Sequence, residues 1–347
     1  MKPEVSVIIP TYNSEAYITK ALESVFAQTY HNFEVILVDD ASIDSTVRIA
    51  RNFKDCRLKI LENEQNKGVS YGRNLAIKRA TGKWIALLDS DDWYAPRRLE
   101  RLVAMGEANK ADLMTDNLYL INEGQKEHWS TLSIECLYLK LSPFALIDAV
   151  KFATSDRLSP ITAKRSWSLG YTKPLIRRRF LLDNQIQYDE NLQVGEDFTL
   201  YLECLRQGAQ FYFSEQPYYY YRTREASLSA RKPIDYLAES CAITQNFINS
   251  EVDSSGQSRL LKTLLENLVI FQKRLAFYHL LENIRAGRLW SAIARIIDCP
   301  SLISDLYQKS FAVLCKKVKG LLSDQAVKTS DQPSSYSDLI KPLQLLK

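Results

Sequence analysis

The sequence predicts an α/β fold with a mainly parallel sheet and helices on both of its faces, followed by a helical C-terminal extension. Over the first 120 residues, short runs of β-branched residues alternate with segments of helical periodicity, which is typical of β-α-β units. Polar residues cluster directly after several of these runs. After about residue 233, helical periodicity dominates the remaining sequence.

The first four strands are predicted from runs of β-branched and apolar residues at positions 5–9, 34–38, 58–61 and 84–88. Between them, helical spacing predicts helices that begin after Ser14 and Ser45, one that Gly82 closes in a left-handed conformation, and one from Pro96 to about Asn109. These elements together form the predicted parallel sheet.

The middle of the chain, from about residue 112 to 222, has a more mixed pattern. Helices are predicted at 144–153 and at 196–207, the second closed by Gly208, and strands at 210–213 and 217–221. We therefore predict three segments: an α/β domain over residues 1–233, a helical region over 234–322 and a disordered tail over 323–347.

The composition of the 347-residue chain excludes several classes of protein. With 46% hydrophobic and 25% charged residues it is neither generally disordered nor collagen-like. The net charge of +4 is too small to indicate nucleic-acid binding, although it does not repel an anionic partner. The six cysteines show no C-x-x-C spacing, which favours buried reduced thiols over a zinc site.

The sequence also contains no signal for export or for membrane insertion. Its apolar runs are far shorter than the roughly 20 residues of a membrane-spanning helix. The N-terminus lacks the cationic and long apolar regions of a signal peptide. We therefore expect a cytoplasmic protein without a transmembrane span.

Three carboxylates follow the fourth predicted strand, in Asp89-Ser90-Asp91-Asp92. Mg²⁺ and Mn²⁺ are commonly bound by one or two carboxylates together with phosphate oxygens. This cluster therefore predicts a metal site beside a diphosphate. An acidic turn that caps the next helix explains the same residues equally well.

Polar residues also follow the first two strands, and ligands of such sheets bind outside the carboxyl ends of the strands. After the second strand, Asp39 and Asp40 offer acceptors for a base N–H or for ribose hydroxyls, or form an ordinary turn. After the first strand, Tyr12 offers a ring that stacks on a base, while Thr11 and Asn13 hydrogen-bond that base. Simple packing of the Tyr12 ring is the alternative.

Charged residues elsewhere allow two interpretations each. Arg73 lies near a predicted helix start from which it reaches a phosphate, or it belongs to a solvated turn. Glu196 and Asp197 open a helix, where the helix dipole alone favours acids. Lys173 and the arginines at 177–179 attract an anionic acceptor or form a solvated face.

Taken together, these segments resemble the motifs of glycosyltransferase family 2, whose members have the nucleotide-sugar-binding GT-A fold. Five segments match in the family's order, at residues 5–13, 38–44, 66–74, 89–91 and 195–197. The resemblance covers about residues 4–230, while the helical remainder matches no motif.

The resemblance implies a role for individual residues. Pro10, Thr11, Tyr12, Asn13 and Asp39 would bind the base, usually uracil. Asp89 would bind the ribose or the metal, Asp91 would be the principal ligand of Mn²⁺ or Mg²⁺, and Arg73 would lie near the diphosphate. Asp197 would be the general base, oriented by Glu196. A family element that closes over the phosphates is resembled by Tyr221 and Arg222 together with Ser227 and Ser229. Lys173 is a further candidate for binding the phosphate or the acceptor.

The implied reaction is metal-dependent, inverting transfer of a sugar from a nucleotide diphosphate, with UDP favoured, to a hydroxyl of a glycan or lipid-linked acceptor in surface polysaccharide synthesis. A non-catalytic nucleotide-sugar-binding or assembly subunit is one alternative, and a sugar nucleotidyltransferase is a weaker one. The C-terminal helices either pack on the catalytic domain or contact the inner face of the membrane peripherally.

Overall fold

The computed structural model describes residues 2–136, 140–157, 167–224, 233–255, 259–288, 290–291 and 297. The chain divides into two compact units, and the first comprises residues 1–159 and 165–278. All strands of the described residues belong to this first unit, so it is the unit that positions the candidate site.

Ten strands of the described residues form one mixed sheet. They are β1 (Val5–Thr11), β2 (Phe33–Asp39), β3 (Leu58–Glu62), β4 (Trp84–Leu87), β5 (Trp93–Tyr94), β6 (Leu113–Asn122), β7 (Ser130–Thr131), β8 (Phe144–Ile147), β9 (Leu175–Arg177) and β10 (Phe211–Thr223). The main order is β3-β2-β1-β4-β9-β6-β10-β5, with β7 beside β6 and β8 beside β10. Strands β1 to β4 are parallel to one another, and β9 is antiparallel to both of its neighbours.

Helices of the first unit pack on both faces of this sheet. The described residues contain ten α-helices. They are α1 (Ile18–Phe26), α2 (Thr46–Asn52), α3 (Val69–Arg79), α4 (Arg98–Ala108), α5 (Leu132–Glu135), α6 (Ala149–Ser155), α7 (Arg178–Asp183), α8 (Glu196–Arg206), α9 (Pro233–Ser255) and α10 (Arg259–Arg285). Successive residues of a strand point to opposite faces. Along β1, Val7 therefore packs in one hydrophobic cluster with α1, and Ile8 in the other with α3 and α8. This burial of both faces explains the uninterrupted apolar runs of the central strands.

The predicted α/β class and the four N-terminal strands are confirmed, but some local predictions are wrong. The segment 144–153 is not one helix. Its first four residues alternate between exposed and buried and form β8, and Asp148 then accepts a hydrogen bond from the Lys151 N–H as the N-cap of α6. The two strands predicted over 210–221 are one strand, β10, with irregular register between Ser214 and Tyr219.

Two predicted helix ends also differ from the structure. Ser14 does not cap α1 with its side chain; its hydroxyl donates to the Tyr12 carbonyl and lies 2.8 Å from the Ser90 hydroxyl. Gly82 does not adopt the left-handed conformation. A Cβ at Gly82 would lie 2.7 Å from the Ser6 nitrogen, so close backbone packing accounts for this glycine.

The helical region after residue 233 begins as part of the first compact unit. Ile243 and Phe247 of α9 and Leu260 and Leu264 of α10 pack in the same hydrophobic cluster as α8. The domain boundary at residue 233 stays a prediction. The predicted tail at 323–347 lies outside the described residues.

Candidate active site

A cavity of about 800 Å³ opens at the carboxyl ends of the parallel strands. The loops after β1 and β4 border it, because these strands are parallel neighbours and end at the same edge of the sheet. The N-terminal ends of α3 and α8 and one side of α9 complete its wall. The cavity therefore lies where the sequence predicts ligand binding.

Arg73 of α3 lies at the centre of this cavity, with only 2% of its surface exposed. One terminal nitrogen, Nη1, donates to Glu196 at 2.9 Å and to Asp197 at 3.1 Å, and the other, Nη2, donates to Asp89 at 2.8 Å. A single guanidinium thus joins the acids after β4 to the acids that open α8. The arginine predicted to lie near a diphosphate is surrounded by carboxylates.

Lys173, which precedes β9, is a second buried cation at this centre. Its Nζ donates to Asp197 at 2.5 Å and lies 2.9 Å from Asp89. Burial lowers the pKa of Lys173, but the charges of Asp197 and Asp89 outweigh burial and raise it. Burial likewise raises the pKa of Asp89, but Lys173 and Arg73 outweigh it and hold this pKa well below its usual range. Both cations and Asp89 are therefore charged at neutral pH.

The two acids of α8 differ in their surroundings. The Asp197 carboxylate accepts hydrogen bonds from Arg73 and Lys173 and from the hydroxyls of Tyr188 at 3.0 Å and Tyr201 at 3.4 Å. Glu196 accepts from Arg73, and 17% of its side chain is exposed. Burial, and next the charge of Asp197, raise the pKa of Glu196. Asp197 is thus tightly positioned, whereas Glu196 faces the opening more freely.

The acids after β4 also have distinct environments. Asp91 accepts a hydrogen bond from Arg224 Nε at 2.6 Å. Burial raises the pKa of Asp91, and the charge of Asp89 raises it further; together they outweigh the lowering effect of Arg224. Asp92 is tied into the structure by the Tyr219 hydroxyl and the Arg222 N–H, at 2.8 and 2.7 Å. Asp89 and Asp91 are therefore the carboxylates of this loop with candidate ligand roles.

No group of three or more His, Cys, Asp or Glu side chains in the described part of the chain is arranged to hold a metal ion. A Mg²⁺ or Mn²⁺ ion that also binds substrate phosphates needs only one or two carboxylates from the protein. Asp89 and Asp91 fit that smaller requirement. Because Arg224 pairs with Asp91, the ion would compete with this arginine for the Asp91 oxygens.

The loops after β1 and β2 form one end of the cavity. Thr11 is buried with its hydroxyl unpartnered, and Tyr12 is 48% exposed. The Asn13 N–H donates to the Ser42 hydroxyl, and Asn13 Oδ1 accepts from the Ile43 N–H, so the two loops support each other. This arrangement leaves the Tyr12 ring accessible to a flat ligand.

The structure does not bring Asp39 into this cavity. Its carboxylate accepts from the N–H and the hydroxyl of Ser42, at 2.9 and 2.5 Å, and it borders a separate hollow beside α2. Asp40 lines the cavity instead, where its carboxylate accepts from the N–H groups of Lys67 and Gly68. Neighbouring residues of an extended chain point in opposite directions, so the motif brings Asp40 rather than Asp39 to the cavity, and base binding by either residue stays a prediction.

The other predicted site residues of the described chain meet in the one cavity. They are Pro10, Thr11, Tyr12, Asn13, Arg73, Asp89, Asp91, Lys173, Glu196, Asp197 and Arg222. Ser227 and Ser229 lie outside the described residues. The sequence offers Asp39 and Asp40 alike as hydrogen-bond acceptors, and the resemblance assigns the base to Asp39 alone. Sequence reasoning missed Tyr188, which no motif distinguishes and which Asn74 holds by accepting the Tyr188 N–H.

Comparisons with known proteins identify the family of the chain. A model of glycosyl transferase family 2 matches residues 6–166. The succinoglycan biosynthesis protein ExoO of Rhizobium meliloti is 30% identical, and the match covers 84% of this chain and 82% of ExoO. ExoU of the same organism is 30% identical, with 73% of each chain covered.

A solved structure gives the same result for the fold. The crystal structure of Staphylococcus aureus TarS residues 1–349 in complex with UDP-GlcNAc matches with a TM-score of 0.57 and 25% identity, over 79% of this chain and 72% of that chain. The predicted GT-A-like fold and the predicted enzyme class, glycosyltransferase, are thereby confirmed. The chain belongs to glycosyltransferase family 2, and it has relatives in polysaccharide biosynthesis.

Proposed function

We propose that the protein transfers a sugar from a UDP-sugar to a hydroxyl group of an acceptor, with inversion at the anomeric carbon, in the synthesis of a cell-surface polysaccharide or glycan. The main support is that Asp89, Glu196 and Asp197 converge on Arg73 in the same cavity that Asp91 lines. The complex of the relative TarS with UDP-GlcNAc supports the choice of donor.

The donor would occupy the end of the cavity formed by the loops after β1, β2 and β4. Tyr12 stacks on the base, and Thr11 and Asp40 hydrogen-bond it. Lys67 and Arg222 also line this end and provide positive charge for the diphosphate. The buried Thr11 hydroxyl lacks a partner in the described residues, which is consistent with a ligand that supplies one.

Asp91, with Asp89, would hold Mn²⁺ or Mg²⁺ at the diphosphate. When bound, the ion acts as a Lewis acid that neutralises charge on the departing UDP. The protein contributes the two carboxylates, and Arg73 and Lys173 keep the Asp89 carboxylate in position. Arg224, which pairs with Asp91 in the structure, would have to give up this contact for an ion to be held there.

Asp197 would act as the general base, taking the proton from the acceptor hydroxyl as that oxygen attacks the anomeric carbon opposite to the leaving UDP. One bond forms between the acceptor oxygen and the sugar, and the bond between the sugar and the diphosphate breaks. The hydrogen bonds from Lys173 and Tyr188 orient the Asp197 carboxylate. Glu196 accepts a hydrogen bond from the same Arg73 nitrogen as Asp197, and through this shared arginine it would help to position Asp197.

The proposal is tested by titrating UDP-, GDP- and dTDP-sugars into the protein with Mn²⁺ and by following UDP release with a mixture of acceptors. We expect tightest binding of a UDP-sugar, turnover that is lost in excess EDTA, and a product whose anomeric configuration, read by NMR, is inverted. Turnover unchanged in EDTA would remove the metal from the mechanism, and a retained configuration would remove the single displacement.

No helix of the described residues is long and apolar enough to cross a bilayer. Peripheral contact with a membrane and a lipid-linked acceptor remain predictions.

A further inference from the structure

The cavity continues past the two acids of α8 to a second end, whose lining no part of the donor proposal uses. We call this end the α9 subsite. It lies between the end of α6, the short helical turn Leu169–Tyr171 and α9. Its polar and aromatic lining residues are Asp156, Ser168, Tyr171, Tyr236, Ser240 and Thr244.

Helix α9 is rigidly connected to the catalytic acids. Glu239 of α9 accepts hydrogen bonds from the N–H groups of Gln193 and Val194, immediately before the acids. A Cβ at Gly195 would lie 2.9 Å from the Ile243 side chain of α9, so the turn and the helix are in close contact. A ligand that rests on α9 is therefore held at a defined position relative to Glu196 and Asp197.

The charges along the cavity differ between its ends. The cations of the described lining are Lys67, Arg73, Lys173, Arg222 and Arg224. Arg73 and Lys173 are already paired with three acids at the centre, and the other three belong to the donor end. The described lining of the α9 subsite thus offers no cation to a phosphate or a carboxylate, because its charged side chain is Asp156.

The groups that do line the subsite suit sugar hydroxyls. Asp156 accepts a hydrogen bond from Ser168, and burial raises the pKa of Asp156 to about 7 against the effect of that bond. A carboxyl group hydrogen-bonds hydroxyls in either protonation state. Tyr171 and Tyr236 are half-buried and present an apolar ring with a polar tip.

We propose that the α9 subsite binds an uncharged sugar residue of the acceptor, with Asp156 hydrogen-bonding its hydroxyls and Tyr236 lining one side of it. This inference rests on the proposed function, because it gives the acceptor for the same reaction. It makes Asp156 and Tyr236 determinants of acceptor specificity and predicts that a neutral sugar binds at this position more tightly than an anionic one. Neither residue belongs to a motif that the sequence distinguishes.

The test uses saturation-transfer NMR on the full chain with defined probes. The neutral probes are the methyl β-glycosides of glucose, galactose and N-acetylglucosamine, and the anionic probe is methyl β-glucuronide. Each is titrated with and without UDP and Mn²⁺. We expect the unmodified protein to bind at least one neutral glycoside and to bind it more tightly than the glucuronide.

Asp156→Asn and Tyr236→Phe should each weaken binding of that neutral glycoside at least fivefold and leave the UDP affinity within twofold. Asp183→Asn, an exposed change on α7, is the matched control and should alter neither. If Asp156→Asn does not fold, Tyr236→Phe, which loses only a hydroxyl, decides the result. Equal binding by the folded variants, no binding of any neutral glycoside, or preference for the glucuronide overturns the α9 subsite. Glycoside binding without any UDP binding supports the subsite and contradicts the donor proposal instead.

Discussion

The two ends of the active-site cavity differ in charge and in how the chain builds them. The donor end is formed by loops that directly follow β1, β2 and β4, and its lining includes Lys67, Arg222 and Arg224. The α9 subsite is assembled from α6, a short turn and α9, and its charged side chain in the described lining is Asp156. Between the ends, Arg73 and Lys173 are neutralised by carboxylates.

In the proposed reaction, this difference lets a single cavity accommodate two unlike substrates. A diphosphate needs positive charge or a metal ion, and Lys67, Arg222 and Arg224 of the described lining lie on the donor side. A neutral glycan needs hydroxyl partners and aromatic surface. Under the two proposals, the central acids stand between the diphosphate and the acceptor sugar, where the transferred sugar would lie.

The largest effect is expected at the acids between the two ends. Asp197→Asn should lower turnover by about 10²–10⁴-fold, since a general base typically contributes this much. If Asp197 is the base, the loss of turnover in Glu196→Gln should be at least tenfold smaller than the loss in Asp197→Asn. Initial rates of UDP release measure both, and thermal melting followed by circular dichroism checks folding. If Glu196→Gln has the larger effect in folded protein, the base is Glu196 and the assignment is wrong.

The second prediction separates Asp40 from Asp39 at the donor end. Asp40→Asn should raise the KM for the donor about 10- to 100-fold, because a hydrogen bond to a charged group typically contributes about 1.5–3 kcal/mol. Asp39→Asn is the matched control. It weakens a turn outside the cavity, so we expect a lower melting temperature and a donor KM within twofold of the original. A larger KM change for Asp39→Asn would restore the interpretation made from the sequence.

A smaller effect on turnover is expected for Gly195→Ala. Comparing it with Gly208→Ala separates the effect of the contact with α9 from the effect of backbone strain. Gly195 and Gly208 both have positive φ, 77° and 85°, and an alanine in this conformation costs about 1–2 kcal/mol. At Gly195 the new Cβ also meets Ile243 at 2.9 Å, whereas nothing lies within 4 Å of Gly208. Gly195→Ala should therefore lower both stability and turnover, and Gly208→Ala stability alone. Urea unfolding and initial rates give the two measurements; equal loss of turnover would show that α9 does not position the acids.

The smallest effect is expected at Glu34, which lies near the start of β2, away from the carboxyl ends of the strands where the cavity opens. Burial raises the pKa of Glu34, but hydrogen bonds from Lys59, Ser6 and Thr81 outweigh it and lower this pKa to about 2. A lowered folded pKa contributes stability above the usual value of about 4.5, and this contribution is lost as the pH falls towards 2. The melting temperature of Glu34→Gln should thus lie below that of the original protein at pH 6, and the gap should close near pH 2.

Exposed Glu64 provides the control for this pH dependence. Glu64→Gln should follow the original protein at every pH. A gap between Glu34→Gln and the original protein that stays constant from pH 6 to pH 2 would mean that the Glu34 charge contributes nothing to stability.

Much of the donor end could be predicted from the sequence. The apolar runs of β1, β2 and β4 give the strands, and polar residues after a parallel strand must lie at one edge of the sheet. The prediction of one helix over 144–153 is wrong because the pattern on which it depends is too short. Periodicity over four residues such as Phe144–Ile147 is too short to separate a strand from a helix.

The sequence by itself determined the α/β fold, the family and the segments that surround the donor, because strand and helix periods and short motifs are local properties of the chain. Only the tertiary structure decided that Asp40 rather than Asp39 faces the cavity, that Arg73 pairs with Asp197 across 124 positions, and that α9 completes the wall. Such contacts depend on how distant segments pack, and no residue pattern within either segment contains the direction in which its partner lies.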